Sequence, residues 1–170
     1  MVTVTDAPEP RVEAVIGQGL RRYNFEQVGI NDGRALAVVV SDPDSGEVLG
    51  GITGRTSLGV LFIDLVFLPA ELRGGGLGSQ ILKAAEDEGR RRGCRTAMLY
   101  TISFQAPRFY ERHGWRRFGE IPCNPPGVSR IFFTKTLGSP ARARPSPAPR
   151  PARRAPTPSR RAARRRGSSR

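Results

Sequence analysis

The 170-residue chain is poor in the residues that build metal centres and disulfide frameworks, with two cysteines and one histidine. Cys94 and Cys123 lie far apart and match no metal-ligand spacing, so we expect no metal cofactor and a reducing, cytoplasmic compartment. No apolar run approaches the roughly 20 residues of a membrane-spanning helix. Residues 1–10 lack the basic start and apolar stretch of a secretory signal. Membrane proteins and disulfide-rich secreted domains are therefore not expected.

Acidic residues are absent from residues 138–170, which hold eleven arginines among proline, alanine and serine. The chain carries a net charge of +13, so 13 less 11 leaves +2 for the rest. With scarcely any large apolar residue, this segment is predicted to be a disordered tail. It either binds nucleic acid or other polyanions nonspecifically through charge, or is a dispensable extension. The nearly neutral remainder gives no electrostatic argument for a nucleic-acid interface.

A glycine-rich loop between an apolar run and a helical pattern dominates the rest of the sequence. The apolar run, residues 61–69, has strand length and ends at Pro69, which cannot donate to a sheet ladder. Four glycines follow at positions 74, 75, 76 and 78, and residues 77–92 then repeat apolar side chains at helical spacing. This order places bare backbone N–H groups and a positive helix end around a phosphate.

The loop departs from two common nucleotide-binding fingerprints. It lacks the Lys-Ser/Thr pair that follows the glycines of a P-loop, and Ser79 stands where the last glycine of a dinucleotide-binding loop belongs. The spacing Arg73-x-x-Gly76-x-Gly78 instead resembles the Arg/Gln-x-x-Gly-x-Gly/Ala signature of the GNAT superfamily of N-acetyltransferases. In that superfamily the loop and the helix start hold the pyrophosphate of acetyl-coenzyme A.

A second segment, residues 103–115, resembles another GNAT signature, an Asn-containing turn before an Ala…Phe/Leu-Tyr-Glu…Gly-Phe helix. Ala106, Phe109-Tyr110-Glu111 and Gly114-Trp115 match it, whereas Gln105 stands near the usual Asn and Trp115 replaces the usual Phe. Together the two motifs resemble those of small bacterial single-domain GNAT proteins. The resemblance covers residues 9–137, which we take as one domain, followed by the tail at 138–170.

The predicted order of elements agrees with that resemblance. Short loops join the first three strands, which predicts an antiparallel meander. The helix after the glycine loop is a crossover, which predicts a parallel pair of strands. The last helix is expected to have Ser103 as its N-cap and Pro107 in its first turn. The predicted helices lie at 11–27, at 77–92 and within 103–115, and the strands at 35–41, 47–57, 61–69, 94–101, 115–121 and 129–137.

The resemblance implies an α/β GNAT fold: a mixed, mostly antiparallel central sheet with helices on both faces. The parallel pair would splay apart at the acetyl-CoA site. The residues then expected to bind the cofactor are Val66, Phe67, Leu68, Arg73, Gly74, Gly75, Gly76, Leu77, Gly78, Ser79, Gln105 and Phe109.

Two residues are catalytic candidates. Tyr110 matches the tyrosine that in many GNAT members protonates the coenzyme A thiolate, and a phenol with a pKa near ~10 suits that task. Its alternative role is packing of the ring. Asp64 interrupts an apolar strand and must be paired or face a cavity, so it is a candidate base or a cation-binding group. Glu120 is a weaker candidate, and His113 is assigned a capping or surface role.

The function that this resemblance implies is acetyl-CoA-dependent N-acetylation. A primary amine of a small molecule or protein would attack the thioester directly in a ternary complex. The alternative is a non-catalytic regulator that keeps the fold and binds nucleic acid through the tail. The intact glycine loop and Tyr110 favour the enzyme. We expect a monomer or homodimer, with an acceptor pocket formed by Asn24 and residues 29–33 and 122–129.

Overall fold

A computed structural model describes residues 2–138, and the prediction of a disordered, polyanion-binding tail falls on residues outside that range. A single 3₁₀ turn, Ala70–Leu72, precedes the glycine loop. In chain order the other elements are α1 (Pro10–Val28), β1 (Arg34–Ser41), β2 (Val48–Ser57), β3 (Val60–Phe67), α2 (Leu77–Arg91), β4 (Thr96–Ile102), α3 (Pro107–Arg112), β5 (Arg116–Pro122) and β6 (Ser129–Thr136).

The six strands form one mixed sheet in the order β1-β2-β3-β4-β6-β5. Every neighbouring pair is antiparallel except β3 and β4, which are joined through the crossover helix α2 and run parallel. The predicted meander, crossover and mixed sheet are therefore confirmed. The strands begin and end within about two residues of the predicted positions.

A β-bulge opens the sheet between β3 and β4. Across β2, Gly54 pairs with Ile63 and Thr53 pairs with Leu65, so Asp64 is the extra residue on β3. Parallel pairing with β4 stops just before it, after Phe62↔Met98. Because a bulge bends the strand that carries it, β3 turns away from β4 at this point and leaves a wedge-shaped gap.

The core lies between the sheet and α2. Inward residues of the first three strands, such as Ile52 and Leu61, are almost fully buried, as are Leu82 and Ala85 on the facing side of α2. Side chains of this size are each stabilised by about 1.5–3 kcal/mol on burial. Helix α3 packs on the same side of the sheet, where the ring of Tyr110 lies 5.8 Å from that of Phe133.

A buried polar network fixes α2 to the end of α3 and to β6. The Glu86 side chain, 5% exposed, accepts hydrogen bonds from Lys135 Nζ at 2.7 Å and from Trp115 Nε1 at 3.0 Å. Lys135 also donates to the His113 carbonyl at 2.7 Å. A buried charge is tolerated when it is paired and hydrogen-bonded, and this one locks the relative positions of the two helices.

The N-cap predicted for the last helix is wrong. α3 begins at Pro107 with Ala106 as N-cap, without a side-chain capping bond. Ser103 Oγ instead accepts a hydrogen bond from the Ser129 backbone N–H at 3.2 Å, across the turn between β4 and α3. A hydroxyl on a short turn can bind either a helix start or a neighbouring strand, and here it binds the strand.

Helix α1 forms as expected, but no residue of it is buried. Its apolar stripe of Val12, Val15, Ile16, Leu20 and Tyr23 is 38–69% exposed. Both α2 and α3 lie on one side of the sheet, the side that carries the core and is here called the inner side. Within residues 2–138 the opposite side therefore has no helix packed closely against it.

Candidate functional site

A cleft of about 750 Å³ runs from the glycine loop to the gap between β3 and β4. One wall is the end of β3 and the start of α2, and the other is the turn after β4 together with α3. Of the residues expected to bind the cofactor, those that line it are Val66, Phe67, Leu68, Arg73, Gly74, Gly76, Gly78, Ser79, Gln105 and Phe109, and Tyr110 lines it as well.

The N-terminus of α2 is built to receive an anion. Gly76 is its N-cap in the left-handed conformation, with φ of +83°, and no side chain caps the helix. The first helical N–H groups have no intrahelical acceptor by geometry, and no acidic residue lies in the first turn. A Cβ at Gly74 or Gly76 would meet nothing within 4 Å, so backbone conformation, not crowding, requires glycine there.

Basic side chains surround this helix end. Arg73 is held in place because its Nε donates to the Leu68 carbonyl at 2.9 Å, and Arg112 lines the same cleft from α3. With the positive helix end, these groups favour a ligand with several negative charges, such as a pyrophosphate. Sequence reasoning missed Arg112, which lies far from the glycine loop along the chain.

His113 is the C-cap of α3, as the sequence predicted, but it also lines the cleft, so the alternative of a surface role is wrong. Its Nδ1 lies 2.8 Å from the Phe109 carbonyl and its Nε2 lies 2.8 Å from Ser79 Oγ. Since a carbonyl only accepts, Nδ1 carries the proton, and in the neutral ring Nε2 accepts from the Ser79 hydroxyl. This bond ties the first turn of α2 to α3. No sequence signal links two residues 34 positions apart.

Tyr110 and Gln105 lie where the cleft meets the gap. The Gln105 side-chain oxygen accepts from Thr101 Oγ1 at 3.0 Å and from the Ile102 N–H at 2.9 Å, which fixes it against the end of β4. Burial raises the pKa of Tyr110 above its ordinary value, so the phenol keeps its proton at neutral pH. The residue is 5% exposed and lines both this cleft and the smaller cavity described below.

A second cavity of about 180 Å³ continues from the cleft through the gap. Asp64 lines it, and its carboxylate forms an ion pair with Arg55 on β2. The expectation that this carboxylate is paired or faces a cavity is met on both counts. The two cavities share four lining residues: Val66, Thr101, Gln105 and Tyr110.

Several sequence candidates do not line either cavity. Gly75 lies within the loop without lining the cleft, and the Leu77 side chain packs against the core. Glu120 bonds the Ser129 hydroxyl on the neighbouring strand, away from both cavities. Asn24 and the loops at 29–33 and 122–129, which were expected to form the acceptor pocket, also lie outside both cavities.

Neither a metal-ligand cluster nor a membrane-spanning helix is found in the described part of the chain. It contains no cluster of three or more His, Cys, Asp or Glu side chains suited to hold a metal ion. Nor does any helix between residues 2 and 138 have the length and apolar character needed to cross a bilayer.

Comparison with known proteins places these features in a family. The model of the acetyltransferase (GNAT) family matches residues 5–115. Acetyltransferase Atu2258 of Agrobacterium fabrum is 35% identical over 132 residues, which cover 78% of this chain and 96% of that protein. The blasticidin-S acetyltransferase of Streptomyces morookaense is 39% identical over 95 residues, or 55% of this chain and 70% of that protein. Among solved structures, an acetyltransferase from Bacillus cereus matches with a TM-score of 0.64 and 30% identity, covering 79% of this chain and 97% of its own.

Proposed function

The chain belongs to the GNAT family and is an N-acetyltransferase that uses acetyl-CoA, and on that premise we propose how it acts and on what. The acceptor is a primary amine, of a small molecule or of a protein, that attacks the thioester directly while both substrates are bound. One observation carries this proposal: the large cleft and the smaller cavity meet at Val66 and Tyr110. A donor on one side and an amine on the other would therefore come together at the proposed proton donor.

The donor is proposed to lie along the large cleft. Its pyrophosphate would bind the N–H groups at the start of α2 beside Arg73, and the pantetheine arm would follow β3 at Val66 to Leu68, on the strand edge that β4 leaves unpaired. A backbone N–H near Val66 would then polarise the thioester carbonyl. Gln105 and Phe109 form the opposite wall beside the arm.

The reaction forms one bond and breaks one. The amine nitrogen attacks the carbonyl carbon, the C–S bond breaks, and the departing thiolate takes the phenolic proton of Tyr110. The nitrogen loses a proton, which we assign to Asp64 through a water molecule, since that carboxylate lines the acceptor side. Proton exchange with solvent restores both groups. The products are the amide and coenzyme A.

The acceptor side is small and polar, because Asp64 and Arg130 both line it, so we propose that it takes the amino end of a polar acceptor. The cavity of about 180 Å³ fits only the amino group and its nearest atoms, and the rest of the acceptor would extend past Asp64 and Arg130. Similarity to the blasticidin-S acetyltransferase motivates including blasticidin S among the amines tested.

Release of coenzyme A thiol, measured across a panel of amines, tests the proposal. The panel contains blasticidin S, simple alkylamines, lysine derivatives and peptides with free N-termini. We expect one class to be turned over, and Asp64→Asn to lower kcat/KM for it about 10²–10⁴-fold without weakening acetyl-CoA binding. Turnover by Asp64→Asn within twofold of wild type would refute its role as base. Acetyl transfer exclusively to oxygen or thiol acceptors would refute the amine assignment.

A further inference from the structure

Helix α1 exposes an apolar face that nothing in residues 2–138 covers. Its stripe residues recur every three or four positions and therefore share one side of the helix. Val15 and Ile16 are 69% and 66% exposed. Gly19 lies at the centre of this stripe, and a Cβ built there would meet nothing within 4 Å. A mid-helix glycine costs up to about 1 kcal/mol relative to alanine, and no contact among residues 2–138 accounts for it.

The sheet side opposite α2 and α3 is the second apolar surface without a packed element on it, although the Arg130 guanidinium lies over the Tyr100 ring at 5.6 Å. We call it the outer sheet face, and it comprises Val39, Leu65, Tyr100, Phe118 and Phe132. Val39 and Tyr100 alternate with inward neighbours, and Phe132 pairs with Tyr100 across the ladder. The ring of Phe118 lies 6.1 Å from that of Phe132, and Leu65 pairs with Thr53, which is next to the buried Ile52 and therefore faces the opposite side from it. Leu65 is 69% exposed and Phe118 57%. Two exposed apolar surfaces on one chain indicate an interface.

The connection between α1 and β1 leaves little freedom for the helix to fold back. Gly29 caps α1 in the left-handed conformation, with its N–H bonded to the Phe25 carbonyl at 2.7 Å. Asp32 is fixed to the turn between β2 and β3, where its Oδ1 accepts the Leu58 N–H at 2.9 Å. Only Ile30 and Asn31 separate these two anchors. Short hinges that hold an element away from its own domain favour exchange of that element between copies.

We propose that α1 packs on the outer sheet face of a second copy of this chain, in a two-fold symmetric dimer that exchanges its first helices. Covering the five apolar side chains of the stripe and the five of the outer sheet face removes on the order of 100 Å² from water for each. Ten side chains in each of two symmetric contacts together remove on the order of 2,000 Å², at the upper end of the range of about 1,200–2,000 Å² for a standard stable interface. Gly19 then lets the helix backbone approach the aromatic side chains closely.

This dimer would complete the acceptor side of each site. Leu65 and Tyr100 belong to the outer sheet face and also line the smaller cavity. A helix from the second copy therefore borders the cavity that a single chain leaves open. The interface is independent of whether the proposed chemistry is correct, because its evidence is exposure and connectivity alone.

Sedimentation of the full chain tests the proposal, with two variants that differ only in which side of α1 carries a new charge. Wild type should sediment as a dimer, at twice the 18.6 kDa of the chain. Ile16→Glu, on the stripe, should be monomeric, whereas Gln18→Glu, on the opposite side of the same helix, should remain dimeric. Circular dichroism confirms that each variant is folded, and Val15→Glu replaces Ile16→Glu if it is not.

Mixing distinguishes exchange between copies from packing within one. Leu65→Glu disables the sheet face and Ile16→Glu disables the helix, so each alone should be monomeric. Together they retain one intact contact between an unaltered helix and an unaltered sheet face, and the mixture should dimerise at higher protein concentration. A monomeric wild type, a dimer that Ile16→Glu leaves intact, or a mixture that sediments no faster than its components would each overturn the proposal.

Discussion

Replacing Tyr110 by Phe removes only the hydroxyl and tests the sharpest chemical assignment. The ring contacts remain, with centroids 5.2 Å from Phe109, 6.2 Å from Trp115 and 5.8 Å from Phe133. Because only the hydroxyl is removed and the ring contacts remain, we expect the free energy of unfolding to change by no more than about 1 kcal/mol. General acids typically contribute about 10²–10⁴-fold, so kcat should fall within that range.

The assay is thiol release at saturating acetyl-CoA on whichever amine is turned over, with donor affinity measured separately by calorimetry. A lost proton donor lowers kcat and leaves donor affinity unchanged, whereas a lost packing residue would lower stability and affinity instead. The measurement is repeated at several pH values. Because burial raises the pKa of Tyr110, its phenol should keep its proton at each of them. A variant with kcat within twofold of wild type, in an enzyme whose chemical step limits turnover, would refute the assignment.

Three further predictions address the donor loop, a helix end and the tail. Gly76→Asp should weaken acetyl-CoA binding about 100-fold or more in calorimetry, because it adds a negative charge beside the pyrophosphate. Gly76→Asn is the matched control, since asparagine has the shape of aspartate and also tolerates positive φ, and it should weaken acetyl-CoA binding far less. Similar losses for both would show that charge is not the cause. Hydrogen bonds from Arg91 and then Arg92 lower the pKa of Glu88 to about 2 from 4.5. The stabilisation by ionised Glu88 is therefore complete above pH 4.5 and is lost as the pH falls towards 2. In urea titrations at pH 7, Glu88→Gln should lower the free energy of unfolding by roughly 0.5–1 kcal/mol, and this difference from wild type should narrow below pH 4.5. A difference that stays constant with pH would contradict this. Deleting residues 138–170 should leave the melting temperature nearly unchanged, because Leu137 is the last described core residue. A loss of many degrees would show that the tail stabilises the domain.

Local signals predicted the elements around the glycine loop well. Pro69 ends the apolar run, the glycines permit positive φ, and the apolar spacing of α2 has the period of a helix whose one side is buried. Each of these is a property of neighbouring residues and therefore readable from the sequence. The same holds for α3, where Pro107 starts the helix and Gly114 follows its end.

The contacts that shape the site are not local, and the sequence did not reveal them. The bulge at Asp64 depends on β2, where a Cβ at Gly54 would lie 2.2 Å from the Phe62 carbonyl oxygen, so the strands approach too closely for any larger residue. The bond between His113 and Ser79 likewise forms only once two helices are placed side by side. The apolar stripe of α1 was correctly recognised, but a single chain does not show what it packs against.

The gap between β3 and β4 gives two interior strands the properties of edge strands. Beyond Phe62 and Met98 the facing backbone groups have no ladder partner across the gap, and β3 continues there as the apolar stretch Leu65, Val66 and Phe67. Edges of this kind are templates on which another chain can add a strand, and proteins usually protect them with charge or cover. Here a pantetheine arm bound along β3 would be that cover. The substrate would then also guard the enzyme against aggregation, so that catalytic competence and colloidal stability depend on the same few unpaired backbone groups.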